Sequence, residues 1–573
     1  MLQYGTRGSR SARILLVGEA YGADEDIAQK PFVGKSGQEL DRMLMEAGIR
    51  QDDCYWTNVI NARPASNDMT RFFIPTAVAK KLKLSAVRGL YPDEPIVQGL
   101  ANLEELIAAL DPQLIIGFGN YPLWALTENN FHVGNKKVGE QSYRIPTGIT
   151  SYRGSQLRCR LDGIPFLPTY HPAAVLRNWE WRSDLVHDLR ARPKRLWAGG
   201  WDEPKREYII QPSFNTTMEV LTDLVGKAEN APAPLMVSED IETVGEHLEC
   251  LGLAWSKHHA ICIPFIASDR NDNNYWSAEE EFRVVQTLKT LTEHPNVSIC
   301  GQNFLYDSQH IFYWHRTRPR YAHDTQLGYL TVYPGLPADL VRLSSLFCEY
   351  HAYWKDDGKE ASAKHDDTQR WTYNCRDCVT TYEIMEALWE LIEHFGLELQ
   401  YAIQMARVNA ALTMMFRGVR RDKVKLATEA TIYQEQLNTM ETRLEALVPE
   451  SFFPVAKKGA AAWYRSPQAL AQLFYTTLGQ KPIFDRKTGQ VTMNDEALKE
   501  LPIREPILRH LTIPLQEYRS QVAFGQFITM RPSHDGRIRA SFSPTAETFR
   551  YRSSRDAFRH GRNLQNIPKG AED

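Results

Sequence analysis

Five residues in the middle third of the chain are of the types that bind paired divalent cations and orient a water: Asp240, Glu242, Asp307, Tyr373 and Asp377. Asp240 and Glu242 lie in PLMVSEDIET, Asp307 closes GQNFLYD, and Tyr373 and Asp377 lie in YNCRD. Residues i and i+2 share one face of a strand, so Asp240 and Glu242 should point into one site with Ile241 behind them. Asp307 is expected early in a helix after the strand VSIC. Tyr373 and Asp377, at i and i+4, should be neighbours on one helix face. Four carboxylates would hold two ions, Mg²⁺ or Mn²⁺, that activate water and stabilise the leaving 3′ oxygen of a phosphodiester. Each fragment alone recurs by accident. The ordered set of three carries the reading.

The amino-terminal stretch must supply a different scaffold. ILLVGEA (14–20), CYWTNVI (54–60), QLIIGFG (113–119) and IPFLPTYHP (164–172) read as strands, and QELDRMLMEAGI (38–49) as an amphipathic helix. Strands alternating with helices imply an α/β unit with a largely parallel sheet. Chemistry in such sheets sits beyond the carboxyl ends of the strands, so the residues after Val17, Thr57 and Thr169 are the ones to inspect. RPKRLWAGGWDEPKR (from 192 to 206) reads as a linker, followed by a strand and an Asn- or Thr-capped helix. Helical periodicity dominates from about residue 370 to 450.

A chain of 573 residues should form several domains. Its 43% hydrophobic and 24% charged residues are ordinary for a globular protein, and the net charge of −3 gives no global nucleic-acid signature. Locally the balance differs: residues 531–570 carry nine Lys/Arg against three acids, which suits phosphate contact. Eight scattered cysteines suggest no disulfide framework, no apolar run is long enough to span a bilayer, and residues 1–13 lack a signal-peptide stretch. These features point to a cytoplasmic protein without a membrane partner. Two patterns are set aside: Cys375 and Cys378 lie inside the helix of Tyr373, and His365-Asp366-Asp367 precedes the last acidic motif. GKS at 34–36 lacks the earlier glycine of a phosphate loop, because position 29 is Gln29.

With AHDTQLGYL (322–330) and LSSLF (343–347) between them, the acidic motifs resemble the DEDDy 3′–5′ exonuclease domain attached to family A DNA polymerases. That resemblance implies a ribonuclease H-like fold, Asp240, Glu242, Asp307 and Asp377 as metal ligands, and Tyr373 orienting the water. Asp324 is expected to cap a helix. GEAYGADEDIAQKPFVGKSGQ, WTNVINARP and PTYHPAAVLR resemble the uracil-DNA glycosylase superfamily, closest to its family 4. The likeness implies that Phe32 stacks on an extruded base, Asn58 reads its edge and His171 donates to the uracil O2. Ala20 stands where other glycosylases place an aspartate, and Glu19 is the nearest acid. Tyr21 replaces a proline. Family 4 binds an iron–sulfur cluster through four cysteines, but this region has only Cys54 and Cys159, and Ala62 replaces another, so no cluster is expected. Activity and a retained docking role are both open for this domain.

MFRGVRRDKVKL (415–426), SPQALAQLFYTTLGQKP (466–482), EYRSQ (517–521) and TFRYRSSRDAFRHGRNLQNIPKG (548–570) resemble the front half of a bacteriophage-type family A polymerase. Arg550, Ser553, Ser554, Asn563, Gln565 and Asn566 fall on its DNA-contacting positions. Motifs A, B and C are not among these segments, so a second polypeptide carrying them is the expected partner beside single-stranded 3′ ends and primer-template DNA. The expected architecture is α/β multidomain. It comprises a glycosylase-like domain over 1–197, an exonuclease domain over 207–395, and a mostly helical thumb with partial palm over 396–573. The alternative reading is a repair glycosylase with the central region as a DNA-binding platform. A third is a structural DNA-binding subunit.

Overall fold

Continuous apolar runs flanked by helical stretches favour strands buried on both faces, and the amino-terminal domain is built that way. The computed structural model describes residues 6–270, 272–364, 366–449, 462–485, 488–546 and 548–566. Strands β1 (Arg7–Gly8), β2 (Ile14–Ala20), β3 (Cys54–Ile60), β4 (Leu114–Phe118), β7 (Leu157–Arg158) and β8 (Pro165–Thr169) form a sheet in the order β1-β3-β2-β4-β8-β7. The inner four are parallel, and β1 and β7 are antiparallel edges. Helices cover both faces; Lys35–Ala47 ends at Gly48, whose φ of 81° suits a residue without Cβ. A hairpin, β5 (His132–Val138) with β6 (Gln141–Thr147), stands apart from the sheet.

The expected linker is shorter than its composition suggested. The helix Trp181–Trp197 runs on through Pro193, and Arg192 and Pro193 are both buried. Beyond it, the Trp201 indole donates to the Leu157 carbonyl at 2.9 Å, pinning the segment to the first domain. Packing here overrides the Pro/Gly signal. The next helix, Phe214–Asn230, is capped by Ser213 rather than Asn215 or Thr216; its hydroxyl accepts from Thr216 N.

The second sheet has the order β14-β13-β10-β11-β12-β9, made of β9 (Glu207–Ile209), β10 (Leu235–Val244), β11 (His247–Ala254), β12 (His259–Pro264), β13 (Val297–Gly301) and β14 (Tyr321–Asp324). It is mixed: β11 is antiparallel to both β10 and β12, and the remaining pairs are parallel. The helix Asp367–His394 packs across β10, β11 and β12, burying Trp371, Cys375, Cys378 and Leu388. Both cysteines of the CxxC pair are therefore core. Asp366 caps this helix by accepting from Gln369 N, which gives the acidic pair before it a structural use; His365 lies outside the described residues.

The chain divides into two compact units, Met1–Ala406 and Arg407–Asp573. In the second, helices Lys423–Leu447 and Arg509–Ile528 pack together over a core including Leu444, Phe474, Leu498, Leu515 and Tyr518. Two short strand pairs complete it, Val419–Arg420 with Arg537–Ile538 and Ser541–Ser543 with Arg552–Ser554. Among the described residues no helix is long and apolar enough to cross a membrane.

Candidate functional sites

Strand alternation sends Asp240 and Glu242 to one side of β10, and the helix above presents Asp377 to them. Carboxylate oxygens of Asp240, Glu242 and Asp377 all lie within 4.8 Å of one another. The pairing of β10 with β11 slips between Glu242 and Thr243, an irregularity of the kind that re-aims side chains beside a site. Asn374, one helical turn before Cys378, donates to Asp240 Oδ2 at 3.0 Å. A Cβ at Gly252 would come within 2.3 Å of the Asn374 amide oxygen, so this glycine makes room for that contact.

Burial, then repulsion by Asp377 and Asp307, holds the Asp240 carboxyl well above its ordinary range. Glu242 is raised in the same direction, by burial and then by Asp240 and Asp377. Such mutual repulsion is what a multivalent cation would relieve, and an all-carboxylate donor set suits Mg²⁺ or Mn²⁺. Asp307 sits in the first turn of Leu305–His315, buried, outside the triad just described. Burial and then the charge of Glu239 push it up to about 8. Tyr373 is on the same helix as Asp377, its phenol raised by burial and then by Asp377.

Three neighbours carried no sequence signal. Trp354 Nε1 donates to Asp377 Oδ1 at 2.6 Å, and Lys355 Nζ donates to Asp377 Oδ2 at 2.6 Å. Glu239, on the opposite side of β10, accepts from the Tyr321 hydroxyl at 2.6 Å and is pushed by burial to about 7. Asp324 caps Thr325–Val332, accepting from Leu327 N.

The ends of β2, β3 and β8 bring the second constellation together. Glu19, Phe32, Asn58 and His171 all line one cavity of about 540 Å³. Gly18 is paired with Asn58 across β2 and β3, and a Cβ there would lie 2.2 Å from Asn58 Oδ1 and 2.6 Å from the Phe32 ring. The glycine makes space for both. Phe32 has φ 56°, a left-handed conformation that strains a bulky side chain, and its ring stacks on His171 with centroids 6.2 Å apart. Asn58 Nδ2 is buried without a hydrogen-bond partner. His171 Nδ1 accepts from Ala173 N at 3.1 Å, and burial lowers the ring to about 4. The neutral imidazole therefore carries its proton on Nε2. Glu19 Oε1 accepts from Asn120 N at 2.9 Å, yet burial raises the carboxyl to about 7. Cys54 and Cys159 are buried, and burial pushes the Cys54 thiol up to about 12.

Residues 6–190 match the uracil DNA glycosylase superfamily. A type-4 uracil-DNA glycosylase from Thermotoga maritima is 33% identical over 171 residues, 30% of this chain and 70% of that protein. The chain belongs to the uracil-DNA glycosylase superfamily. A DNA polymerase of Bacillus phage SP01 is 27% identical over 239 residues, 42% of this chain but 21% of that protein. Among solved structures, the polymerase domain of Pol1 from M. smegmatis aligns with 64% of this chain and 57% of its own, at 16% identity and a TM-score of 0.43.

In the second unit, Ser553 Oγ accepts from Leu564 N at 3.1 Å, and Gln565 bridges Ser553 N and the Tyr551 carbonyl. Asn563 Oδ1 accepts from Gln565 N. These side chains brace the loop, while Arg550 and Ser554 are exposed on it. The side chain of Asn566 and residues 567–573 lie outside the described residues.

Proposed function

We propose that this glycosylase-superfamily member is a DNA-processing enzyme whose central, ribonuclease H-like domain is a metal-dependent 3′–5′ exonuclease of the DEDDy kind, acting beside a polymerase. The single observation that carries the reading is the approach of Asp240, Glu242 and Asp377 to within 4.8 Å of one another. They arrive from a strand and a helix 135 residues apart in sequence. Two Mg²⁺ or Mn²⁺ ions would supply water activation and stabilisation of the leaving oxygen. Asp240, Glu242 and Asp377, with Asp307 nearby, would hold those ions, and Tyr373 would orient the attacking water. Arg550 and the braced loop over Ser553, Ser554, Asn563, Gln565 and Asn566 would grip primer-template DNA. End-labelled single-stranded DNA with Mn²⁺ tests the nuclease: digestion by wild type and equal digestion by Asp240→Ala would sink it.

A second reading, base excision, is favoured by the unpartnered Asn58 amide and the neutral His171 facing one cavity with the strained Phe32. Asn58 would read the edge of an extruded uracil, and His171 Nε2–H would meet charge developing on its O2. Release of uracil from an oligonucleotide, lost in His171→Ala, supports this; no release leaves the domain a docking module.

A further inference from the structure

One segment outside both carboxylate-bearing elements reaches into the acidic site. Lys355 opens the helix Lys355–Lys364, and its Nζ donates to Asp377 Oδ2 at 2.6 Å and to the Tyr373 hydroxyl at 2.8 Å. The ammonium also stands 5.0 Å from the Tyr373 ring centroid. The adjacent Trp354 donates to the other oxygen of Asp377. Gly358 lies against the same tyrosine, where a Cβ would come within 3.0 Å of the ring. Asp377 and Tyr373 are thus held from outside their own helix. Because an ammonium has only donors, the Tyr373 oxygen must accept from it, which leaves the phenolic proton as the group to be donated.

The same segment is docked on the glycosylase-superfamily domain. Gln156 N donates to the His351 carbonyl at 2.7 Å, and His351 N returns a bond to Gln156 Oε1 at 3.2 Å. Tyr353 N donates to Ser155 Oγ at 3.2 Å, and the rings of Tyr152 and Tyr353 meet edge to face. Asp356, next to Lys355, is bonded to His132 Nε2 on the hairpin arm at 2.5 Å. Buried Arg153 joins Asp188 to the Ser345 hydroxyl, and Arg192 donates to the Ser345 carbonyl.

We propose that Lys355 is a positioning residue of the nuclease site, setting the attitude of Tyr373 and Asp377, and that the amino-terminal domain fixes where its ammonium stands. This deepens the exonuclease reading and rests on it. A counter-ion placed only to neutralise buried acids would have no need of the phenol. The two-point grip on hydroxyl and carboxylate, from a segment anchored on another domain, has geometric content that charge alone lacks. The consequence is that a residue in the hairpin arm, remote from the carboxylates, affects nuclease turnover.

The test uses the full chain with single-stranded DNA and Mn²⁺, comparing wild type, Lys355→Met, Lys355→Arg, His132→Ala and the His132→Ala/Lys355→Met double variant, with Asp240→Asn as control. Lys355→Met should lower kcat roughly 10–100-fold with KM for DNA little changed, as for residues that orient ligands from behind, and Lys355→Arg should recover part of it. His132→Ala should lower kcat roughly 2–5-fold alone and add little in the double variant, because both act through one group. Thermal melts in EDTA and in Mn²⁺ give a readout apart from turnover: Lys355→Met should melt lower in EDTA and gain more from Mn²⁺ than wild type. If Lys355→Met fails to fold, Lys355→Arg decides, since it keeps the charge and shifts the donor. A kcat within twofold of wild type for Lys355→Met, or for Lys355→Arg where that variant decides, overturns the positioning role. Multiplicative effects of the two single variants overturn the domain contribution. A wild type that leaves DNA intact and whose Mn²⁺ stabilisation ignores Asp240→Asn sinks the nuclease reading itself, and this proposal with it.

Discussion

Asp240→Asn is expected to stabilise the metal-free protein and remove its response to metal. The oxygens of Asp240, Glu242 and Asp377 lie within 4.8 Å of one another. At that spacing and an effective dielectric of about 20, each pair of charges repels by about 3.5 kcal/mol. Asp240 takes part in two such pairs, and the nearby ammonium of Lys355 offsets about one. The donor on its carboxylate, Asn374 Nδ2 at 3.0 Å, can bond the amide oxygen of an asparagine in the same place. The substitution therefore removes repulsion while keeping the bond, a gain of up to about 3 kcal/mol.

The pH dependence fixes the sign. Asp240 titrates well above its ordinary range in the folded chain, because of burial and then Asp377 and Asp307. Below the unfolded value, about 4, the carboxyl is protonated in both states and contributes no difference. As the pH rises from there, the unfolded chain ionises first and wild type loses stability, until the folded group ionises too. The advantage of Asp240→Asn should be absent near pH 4, grow above it and then level off. Denaturant melts in EDTA across that range measure it, repeated with Mn²⁺ at the upper end. A variant less stable than wild type in EDTA at neutral pH, or one that keeps the full Mn²⁺ stabilisation, would refute the reasoning.

Uracil release, if present, should rise with pH through about 7 as Glu19 ionises, while His171, lowered to about 4, stays neutral; Glu19→Gln should abolish the inflection in the pH–rate profile. Arg153→Leu leaves Asp188 buried beside an apolar group and should lower stability by about 3–5 kcal/mol, with much of that recovered in Arg153→Leu/Asp188→Leu, as denaturant melts would show. Arg550→Ala should weaken primer-template binding at all sequences and lower the salt slope of log Kd by about 1, read by fluorescence anisotropy across a salt series.

What the sequence made legible followed from periodicity and order. The runs 54–60 and 114–118, mostly apolar and buried at every position, became inner parallel strands because burial on both faces removes the polar alternation of a half-exposed strand. Asp240 and Glu242 share a face by the pleat, and Tyr373 and Asp377 by the helical turn, so the convergence of Asp377 on the first pair needed only the right topology. Composition misled at Pro193, where a proline inside a packed helix looked like punctuation. It also missed Ser213, since several capping residues stood within three positions of one another.

The residues that escaped notice share a physical cause. Lys355 follows Trp354 in a stretch of alternating charge that reads as a solvated helix, and Asn374 sits among cysteines and threonines. Their importance is set by what lies opposite them in space: an acid cluster assembled from β10 and a helix more than a hundred residues away. A lysine facing water and a lysine facing three carboxylates have the same local sequence grammar, since charge complementarity acts across the fold and leaves no period along the chain. Asp356 shows the same limit from the other side. Nothing around it marks a partner on the hairpin at His132, yet that contact ties the segment carrying Lys355 to the glycosylase-superfamily domain. Motif order can single out the carboxylates; the groups that hold them in place become visible only once the two sheets are set against each other.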